Sequence, residues 1–443
     1  MQAKAITTNY HDGEISQKAV PCEISADNGT QERDVVNVYT DLTNQTICGF
    51  GGAITESVGH TLSQMPGLQQ KRILEACFGE DGLRYTQVRT SIDSCDFAVR
   101  QYEAAHTPDA AFDLRHDETF VIPYIQAAQA VCPAKIGVML TPWSPPAYMK
   151  DNGARSNGGR LKRAHYADWA DYICRYILSY RSHGLEVSKL SVQNEPNARQ
   201  PWDSCLFSGA EENVFLRGYL HPALIKNGLE NLSVYIWDHN KERLFDRVRD
   251  VIDGTTAQMV SGAAFHWYSG DHFDALRLVR TRYPQLQLLF SEGCIEYSCC
   301  PREDQLQNAR KYAHDMIGNY NAGMNTFFDW NIALDEVGGP NHAGNFCEAP
   351  IMCDTKTGLF EKRLSYYYIW HFSHFIAFGA KQVSSTVFSG EIDAAAFRNP
   401  DDSIAVVLSN NTPLPRTVHL RMDGKIIKVP LGADCIASVE VHK

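Results

Sequence analysis

Short apolar runs of β type alternate with helical patterns through the middle of the chain. Eight such runs occur, at residues 47–54, 85–92, 135–140, 187–192, 232–237, 263–268, 286–290 and 324–330. Between them, residues 164–180, 241–252 and 305–320 repeat apolar side chains every three or four positions, which is the spacing of one helix face. Eight strands that alternate with helices over this length predict a (β/α)8 barrel in residues 47–378.

Both ends of the chain lack helical spacing. Short β-type runs separated by turn-forming sequences occur at residues 382–388, 394–398, 404–409, 417–422 and 425–429. The N-terminal runs 19–24 and 34–39 are also strand-like. We therefore expect the fold class to be α/β, a TIM barrel fused to an all-β sandwich that residues 1–46 and 379–443 form together. A doubly wound sheet is the competing layout, but the run from Gly49 to Gly52 does not fit its GxGxxG turn.

Composition and charge narrow the class of protein. With 443 residues, of which 44% are hydrophobic, the chain can bury a barrel core and a smaller module. A net charge of −11 argues against a nucleic-acid partner, because a surface that tracks phosphates needs clustered Lys and Arg. The start of the chain lacks the apolar stretch of a signal peptide, and no long uncharged apolar run indicates a membrane span. We expect a cytoplasmic enzyme without a stable membrane anchor, and a homo-oligomer stays open.

The cysteines do not form the pattern of a disulfide framework. Their number is odd, 13, and they are scattered along a chain that is large enough to fold without cross-links. This usage favours free thiols in a reducing compartment. Cys294, Cys299 and Cys300, with His314 further on, lack the paired CxxC spacing of a metal cluster. We therefore expect buried or loop thiols here, and neither a metal nor a cofactor.

Two glutamates stand where apolar runs of β type end. Glu195 follows the run 187–192, and Glu292 follows the run 286–290. In a (β/α)8 barrel that end of the strands forms the active face, so a carboxylate there is more often chemical than structural. Retaining glycoside hydrolysis requires two such carboxylates roughly 5 Å apart, one to protonate the leaving oxygen and one to attack the anomeric carbon. The pair predicts a glycosidase, whose expected partner is a small-molecule or oligosaccharide β-glycoside substrate.

Each of these positions also has a structural interpretation. Asn194 and Pro196 suit a helix entry, with Asn as the cap and Pro at the first helical position. The sequence from Ser291 to Gly293 suits an ordinary turn. Arg89, within the second run, either orients Glu292 and favours its ionised form or closes the barrel with an ion pair. The residues alone leave these alternatives open.

Seven motifs follow one another in the order seen in glycoside hydrolase family 30. They are Gly49-Phe50-Gly51-Gly52-Ala53, Ser94-Cys95-Asp96-Phe97, Thr141-Pro142-Trp143-Ser144-Pro145-Pro146, Asn194-Glu195-Pro196, His266-Trp267-Tyr268, Ser291-Glu292-Gly293 and Trp330-Asn331-Ile332-Ala333-Leu334. The stretch from Gly338 to Asp354 resembles the glucosylceramidase branch of that family. The resemblance covers nearly the whole chain. It implies a (β/α)8 barrel fused to a β-sandwich made from both termini, and hydrolysis with retention of anomeric configuration.

The resemblance assigns roles to the two glutamates and to the residues that hold the sugar. It implies that Glu195 is the acid/base, which must carry a proton at the start and lose it later, and that Glu292 is the nucleophile. Asp96 and Trp143 are similar to the family residues that bind the far hydroxyls of the terminal sugar, and Trp330 to the wall of that subsite. Asn194, beside the acid/base, is placed to bind the sugar 2-hydroxyl, an interaction that strengthens in the transition state.

Three further positions complete the expected site. The resemblance places the hydroxyl of Tyr268 within reach of Glu292. His266 lies at the end of the same strand, either as a site residue or as a neutral interior histidine. Asn345 matches a family asparagine that reaches the sugar, but Gly344 stands where the better-known glucosylceramidases carry Arg. Asp238 ends the fifth run, and no role is assigned to it.

The leading interpretation is a retaining, exo-acting β-glycosidase, most simply a β-glucosidase. Glucosylceramidase, β-xylosidase and endo-β-1,6-glucanase are alternatives within the same family. A non-catalytic sugar-binding barrel would be expected to have lost one glutamate, and both are present. A carboxylate-metal sugar isomerase would need several His, Asp and Glu at neighbouring strand ends, where Trp143 and Asn194 stand instead.

Overall fold

A closed barrel of eight parallel strands forms the centre of the molecule, whose computed structural model describes residues 1–442. In chain order, the barrel strands are Phe50–Ala53, Gln87–Ile92, Gly137–Pro142, Glu186–Ser191, Ser233–Asn240, Gly262–His266, Gln287–Glu292 and Thr326–Asp329. Each overlaps one of the eight apolar runs, so the predicted barrel is confirmed. The strands pair in sequence order, and the eighth closes the barrel against the first.

Helices follow the barrel strands and pack against them. They are Glu56–Ser63, Gly67–Phe78, Arg115–Phe120, Ile122–Val131, Tyr166–Ser182, Gly209–Phe215, His221–Lys226, Leu244–Val251, Phe273–Arg282, Gln305–Asn321 and Leu364–Ser373, with 3₁₀ turns at Ala147–Met149, Arg163–His165, Lys241–Arg243 and Thr256–Gln258 and a π turn at Leu216–Leu220. The predicted apolar face of Tyr166–Ser182 is buried, including Trp169, Ile173 and Tyr176. Each such side chain contributes about 1.5–3 kcal/mol by leaving water. Within residues 1–442 no helix combines the length and apolarity that a membrane crossing requires.

The glycines that open the first barrel strand have a packing role. A Cβ atom on Gly51 would lie 2.4 Å from the carbonyl oxygen of Gln87, and one on Gly52 would lie 2.6 Å from Ile332. Gly51 therefore lets the first two strands approach each other, and Gly52 leaves room for the side chain of Ile332. This explains the glycine-rich run without a phosphate-binding turn.

Both ends of the chain join in one ten-stranded sheet, as the sequence predicts. Its strands are Gln2–His11, Glu14–Val20, Glu23–Ala26, Val35–Thr46, Lys381–Val387, Ile392–Arg398, Ile404–Asn410, Arg416–Met422, Lys425–Leu431 and Cys435–His442. The first strand pairs antiparallel with the last, Gln2 opposite His442. Val36, Val406 and Leu408 belong to a separate apolar core inside this sheet. Short additional strands above the barrel pair Ile295–Glu296 with Cys347–Glu348, and Ala333–Leu334 with Ile351–Asp354 and Leu359–Lys362.

The sequence pattern gave the wrong bounds for one N-terminal strand. The run 19–24 is not continuous, because one strand ends at Val20 and the next begins at Glu23. Pro21 interrupts the ladder, since it has no backbone N–H to donate. The hairpin before it turns at Asp12 and Gly13, both with positive φ (50° and 85°), which is the conformation of a tight two-residue hairpin turn.

A buried histidine connects the last barrel helix to the two terminal strands. The His371 ring nitrogens lie 2.9 Å from the hydroxyl of Thr8 and 2.9 Å from that of Ser438. Burial, with the nearby charge of His374, lowers the pKa of His371 to about 3. The ring is therefore neutral and bridges the barrel and the sheet by ordinary hydrogen bonds.

Candidate active site

The two predicted glutamates meet at the carboxyl ends of the barrel strands. Glu292 is the last residue of the seventh strand, and Glu195 follows the fourth. One carboxylate oxygen of Glu195 lies within 4.8 Å of one of Glu292. Both side chains line a cavity of about 170 Å³. A larger cavity of about 490 Å³, lined by Gly49, Thr86 and other residues, opens at the opposite end of the barrel and includes neither glutamate.

The cavity has a buried floor and a partly exposed rim. Buried lining residues are Asp96, Phe97, Trp143, Asn194, Glu292, Cys294 and Trp330. Partly exposed lining residues are Glu195, Gln200, Trp202, His239, Asn240, Tyr268, Glu296 and Asn345. All eight residues that the sequence assigned to catalysis or substrate binding thus line one cavity. The two assigned to a supporting role, Arg89 and His266, are fully buried next to it.

The backbone at Glu195 adopts a left-handed conformation. Its φ is 44°, and its N–H donates to the carbonyl oxygen of Asp238 (2.9 Å). Such a conformation costs a non-glycine residue about 1–3 kcal/mol and is retained where the surrounding structure requires it. The helix entry that Asn194 and Pro196 suggested is absent, since the next helix begins only at Gly209. The local strain instead directs the Glu195 carboxyl into the cavity.

Arg89 holds the floor of the site together. Its Nη1 donates to Oε2 of Glu292 (2.6 Å), and its Nη2 donates to Asn194 (2.9 Å) and Asp238 (3.1 Å). Burial disfavours the charged guanidinium, but the charges of Asp238 and Glu292 outweigh it and raise the pKa of Arg89. The ion pair with Arg89 therefore orients the carboxyl group of Glu292 directly.

The second oxygen of Glu292 is held by Tyr268. The Tyr268 hydroxyl donates to Glu292 Oε1 at 3.0 Å, and it also lies 3.5 Å from the thiol of Cys294. With Arg89 on Oε2 and Tyr268 on Oε1, both oxygens of the carboxylate are fixed. The carboxylate plane is therefore held in one orientation towards the cavity, which favours attack on a positioned carbon.

Asp238 is a site residue to which the sequence assigned no role. Trp237 and Asp238 both have positive φ (74° and 52°), and the register of the fifth strand against the sixth shifts at this point. The resulting bulge turns the Asp238 carboxylate inward, where it contacts Arg89, His266 and the hydroxyl of Ser291. Although burial alone raises it, Arg89 and His266 bring the pKa of Asp238 far below its ordinary value.

His266 carries a positive charge in this setting. Its Nδ1 lies 3.2 Å from Glu195 Oε1 and 4.0 Å from Glu292 Oε1, and its Nε2 lies 3.0 Å from Asp238 Oδ1. Burial lowers the pKa of His266, but Glu292, Asp238 and Glu195 together raise it to about 9. Both ring nitrogens face carboxylate oxygens, so the surroundings favour a protonated imidazole over a neutral interior histidine.

The charge on His266 changes the state of Glu195. Burial raises the pKa of Glu195, but the hydrogen bond from His266 and the charges of His239 and His266 lower it below its ordinary value. The lowered pKa favours the ionised carboxyl of Glu195. The proton that an acid catalyst needs lies one hydrogen bond away, on the imidazole of His266.

We expect the charge on His266 to give the fold a specific pH dependence. A histidine whose folded-state pKa is raised stabilises the protein fully below its unfolded pKa of about 6.5. That stabilisation is lost as the pH rises through about 9. The difference in Tm between the parent and His266→Gln should therefore shrink steadily from pH 7 to pH 10, measured by circular dichroism.

His371→Gln is the matched control, because it replaces another buried histidine that is neutral throughout this range. Its Tm difference from the parent should stay constant between pH 7 and pH 10. A constant difference for His266→Gln as well would show that His266 is also neutral.

The buried floor carries two stacked indoles and one carboxylate. The rings of Trp143 and Trp330 stack with centroids 5.4 Å apart, and the Arg89 guanidinium lies 4.8 Å from the first. Asp96 accepts a hydrogen bond from Asn341 (3.2 Å). Burial, and then the charge of Glu292, raises the pKa of Asp96 well above its ordinary value. Hydroxyls that donate to Asp96 would favour its ionised form, so the floor is suited to a sugar rather than to an anion.

Glu195, His266 and Glu292 are also close enough together to hold a metal ion. Their donor atoms are already engaged, because Arg89 and Tyr268 donate to Glu292 and His266 is protonated between two carboxylates. A protonated imidazole has no lone pair for a metal. The trio is therefore better suited to proton transfer than to coordination.

A closed (β/α)8 barrel whose fourth and seventh strands bring two carboxylates face to face in a small polar-aromatic cavity defines a glycoside hydrolase. The family models agree with this class. The glycosyl hydrolase family 30 TIM-barrel domain matches residues 47–376, and the glycosyl hydrolase family 30 beta sandwich domain matches residues 379–439. The chain belongs to glycosyl hydrolase family 30, and the family predicted from the seven motifs is confirmed.

Three relatives illustrate the range of this likeness. The crystal structure of SrfJ from Salmonella typhimurium is 35% identical, covers 100% of both chains and superposes with a TM-score of 0.95. The lysosomal acid glucosylceramidase of Mus musculus is 29% identical over 390 residues, 83% of this chain and 75% of the relative. An endo-1,6-beta-D-glucanase of Neurospora crassa is 23% identical over 388 residues, 83% of this chain and 79% of the relative.

Proposed function

We propose that the protein is a retaining, exo-acting β-glucosidase that removes terminal glucose from β-glucosides through a covalent glycosyl-enzyme. The spacing of the glutamates carries this proposal. Retaining enzymes hold their two carboxyl groups about 5–5.5 Å apart, whereas inverting enzymes leave about 6.5–9.5 Å for a water molecule. The carboxylate oxygens of Glu195 and Glu292 that lie within 4.8 Å of each other favour the shorter, retaining spacing.

The contacts describe both steps of the reaction. In the first, a lone pair of Glu292 attacks the anomeric carbon and the glycosidic C–O bond breaks. The leaving oxygen takes a proton from Glu195, which receives it from His266. In the second, Glu195 takes a proton from water, whose oxygen attacks the same carbon and releases Glu292. Arg89 stabilises the carboxylate of Glu292 when it is released from the anomeric carbon. Asn194, held by Arg89, offers its amide to the sugar 2-hydroxyl.

The shape of the cavity supports exo action. Its volume of about 170 Å³ is below the roughly 300–1,000 Å³ of ordinary ligand pockets and suits a single sugar ring. Asp96, Trp143 and Trp330 are nearly inaccessible and would close the floor behind that ring. The glucosylceramidase relative supports glucose as the ring.

An endo-β-1,6-glucanase is the second candidate, favoured by the Neurospora crassa relative. Such an enzyme needs a subsite beyond the far end of the sugar, which the buried floor does not offer. The two functions differ in their products, since the first releases only glucose and the second releases oligosaccharides from within a β-1,6-glucan.

Asp96→Asn is expected to reduce kcat/KM for an aryl β-glucoside severely. The substitution removes the negative charge that sugar hydroxyls would meet at the floor. A charge-assisted hydrogen bond of this kind is worth about 1.5–3 kcal/mol, which corresponds to roughly 10- to 150-fold. Initial rates with chromogenic β-glucoside, β-xyloside, β-galactoside and β-fucoside should show the β-glucoside as the best substrate and the one most affected.

Asp109→Asn provides the control, because it makes the same change on an exposed residue. It should retain the parental rate. The exo-glucosidase proposal would be wrong if Asp96→Asn were as active as the parent, or if the parent released oligosaccharides from a β-1,6-glucan.

A further inference from the structure

The rim of the cavity carries a third carboxylate that the two-step mechanism does not use. Glu296 is the second residue of the short strand Ile295–Glu296, which pairs with Cys347–Glu348 directly above the barrel. Its main chain is fixed on both sides, since its carbonyl oxygen accepts from the N–H groups of Cys299 (3.1 Å) and Cys300 (2.9 Å). The carboxylate is therefore held at the rim by ordered structure.

Within the described residues, the carboxylate of Glu296 receives little hydrogen bonding. Its single side-chain hydrogen bond comes from Nδ2 of Asn345, at a long 3.4 Å. Burial raises the pKa of Glu296, the bond from Asn345 lowers it, and the charges of Glu292 and Glu195 raise it further, with a net increase. A half-buried carboxylate that has so few hydrogen-bond donors around it is suited to accept hydrogen bonds from a ligand.

The direction of the substrate decides which part of it reaches this rim. The terminal sugar would lie on the buried floor, and Glu195, which protonates the leaving oxygen, is at the rim. The leaving group must therefore pass between the rim residues. Among them, Trp202 packs against the cluster that contains the floor indoles and keeps part of its ring exposed.

We propose that Glu296 and Asn345, with the ring of Trp202, form a leaving-group subsite that selects a second sugar ring over an alkyl chain. The inference rests on the proposed β-glucosidase function. Adjacent sugar hydroxyls can donate to the carboxylate of Glu296 and accept from the amide of Asn345, and charge-assisted bonds of this type are the stronger ones. The C–H face of a sugar packs well on an indole. An alkyl chain in the same place would desolvate Glu296 without giving it a partner.

The test compares leaving groups in Glu296→Gln. The probes are two β-linked glucose disaccharides, octyl β-glucoside and 2,4-dinitrophenyl β-glucoside. For the disaccharides kcat/KM should fall about tenfold, because a neutral amide replaces a charged acceptor. For octyl β-glucoside it should stay constant or rise. With the dinitrophenyl substrate, the second step, deglycosylation, should limit kcat. The leaving group has already departed by then, so kcat should not change.

Glu303→Gln is the matched control, since Glu303 lies exposed on the same connection and loses the same charge. It should behave as the parent on every substrate. Circular dichroism melts of each variant would separate a loss of folding from a loss of selectivity.

Two results would overturn the subsite. One is an equal loss on the disaccharides and octyl β-glucoside, and the other is a parent that prefers octyl β-glucoside to both disaccharides. A parent that fails to release dinitrophenol from the activated glucoside would instead refute the β-glucosidase function itself. The two failures are distinguishable because a parent that releases dinitrophenol has β-glucosidase activity whatever its preference among leaving groups.

Discussion

Incubation with 2,4-dinitrophenyl 2-deoxy-2-fluoro-β-glucoside should leave one sugar attached covalently to Glu292. The fluorine slows both steps of a retaining reaction, while the good leaving group keeps the first faster than the second. The glycosyl-enzyme should therefore accumulate, with loss of activity and one label per chain. Peptide mass spectrometry should locate the label on the peptide that contains Glu292, whose two oxygens are fixed by Arg89 and Tyr268.

Glu292→Gln should abolish this labelling. It should also reduce kcat on an aryl β-glucoside on the order of 10⁴- to 10⁶-fold, the scale seen when one member of a covalent catalytic unit is removed. The contacts of Arg89 with Asp238 and Asn194 remain available, so the melting temperature is the control for folding. Label on any peptide that lacks Glu292 would refute the assignment of the nucleophile.

Glu195→Ala should remain competent only for leaving groups that need no proton. The 2,4-dinitrophenyl glucoside should still glycosylate the enzyme, whereas turnover of an alkyl glucoside should fall about 10²- to 10⁴-fold, the usual contribution of a general acid. The alanine leaves space where the carboxylate stood. Added azide should enter that space, attack the glycosyl-enzyme and restore turnover.

The stereochemistry of the azide product tests the roles of the two glutamates. A β-glycosyl azide, identified by nuclear magnetic resonance, places the intermediate on Glu292. An α-glycosyl azide would reverse the roles. Glu296→Gln is the control, since its acid/base is intact and azide should give it no acceleration.

Much of the fold could be predicted because its signals are local. Several barrel strands bury every residue and are largely apolar, as Gly262–His266 is, so they are visible as short apolar runs in the sequence. The position of Glu195 and Glu292 follows from the same runs, since the carboxyl ends of parallel strands form one face. The terminal strand Gln2–His11 was not recognised, because its alternate residues face water and its partner is Cys435–His442.

The electrostatic part of the site could not be predicted in the same way. Asp238 belongs to the site only because Trp237 and Asp238 form a bulge, and that conformation depends on the neighbouring sixth strand. The charge of His266 requires Glu195, Asp238 and Glu292 to converge on one ring from three other strands. Neither fact has a signature in residue type or spacing, because both arise from contacts between distant segments.

The pairing of the first strand with the last has a consequence for how the protein is made in the cell. Gln2 and His442 are opposite one another, although 440 positions (442 − 2) separate them in the sequence. At translation rates of about 5–20 residues per second, the ribosome needs roughly 20–90 s to cover that interval. During this time Gln2–His11 has one free edge, which is open to pairing with other nascent chains on the same messenger RNA. Dense polysomes should therefore favour aggregation, and a holdase chaperone that covers this edge should increase the yield.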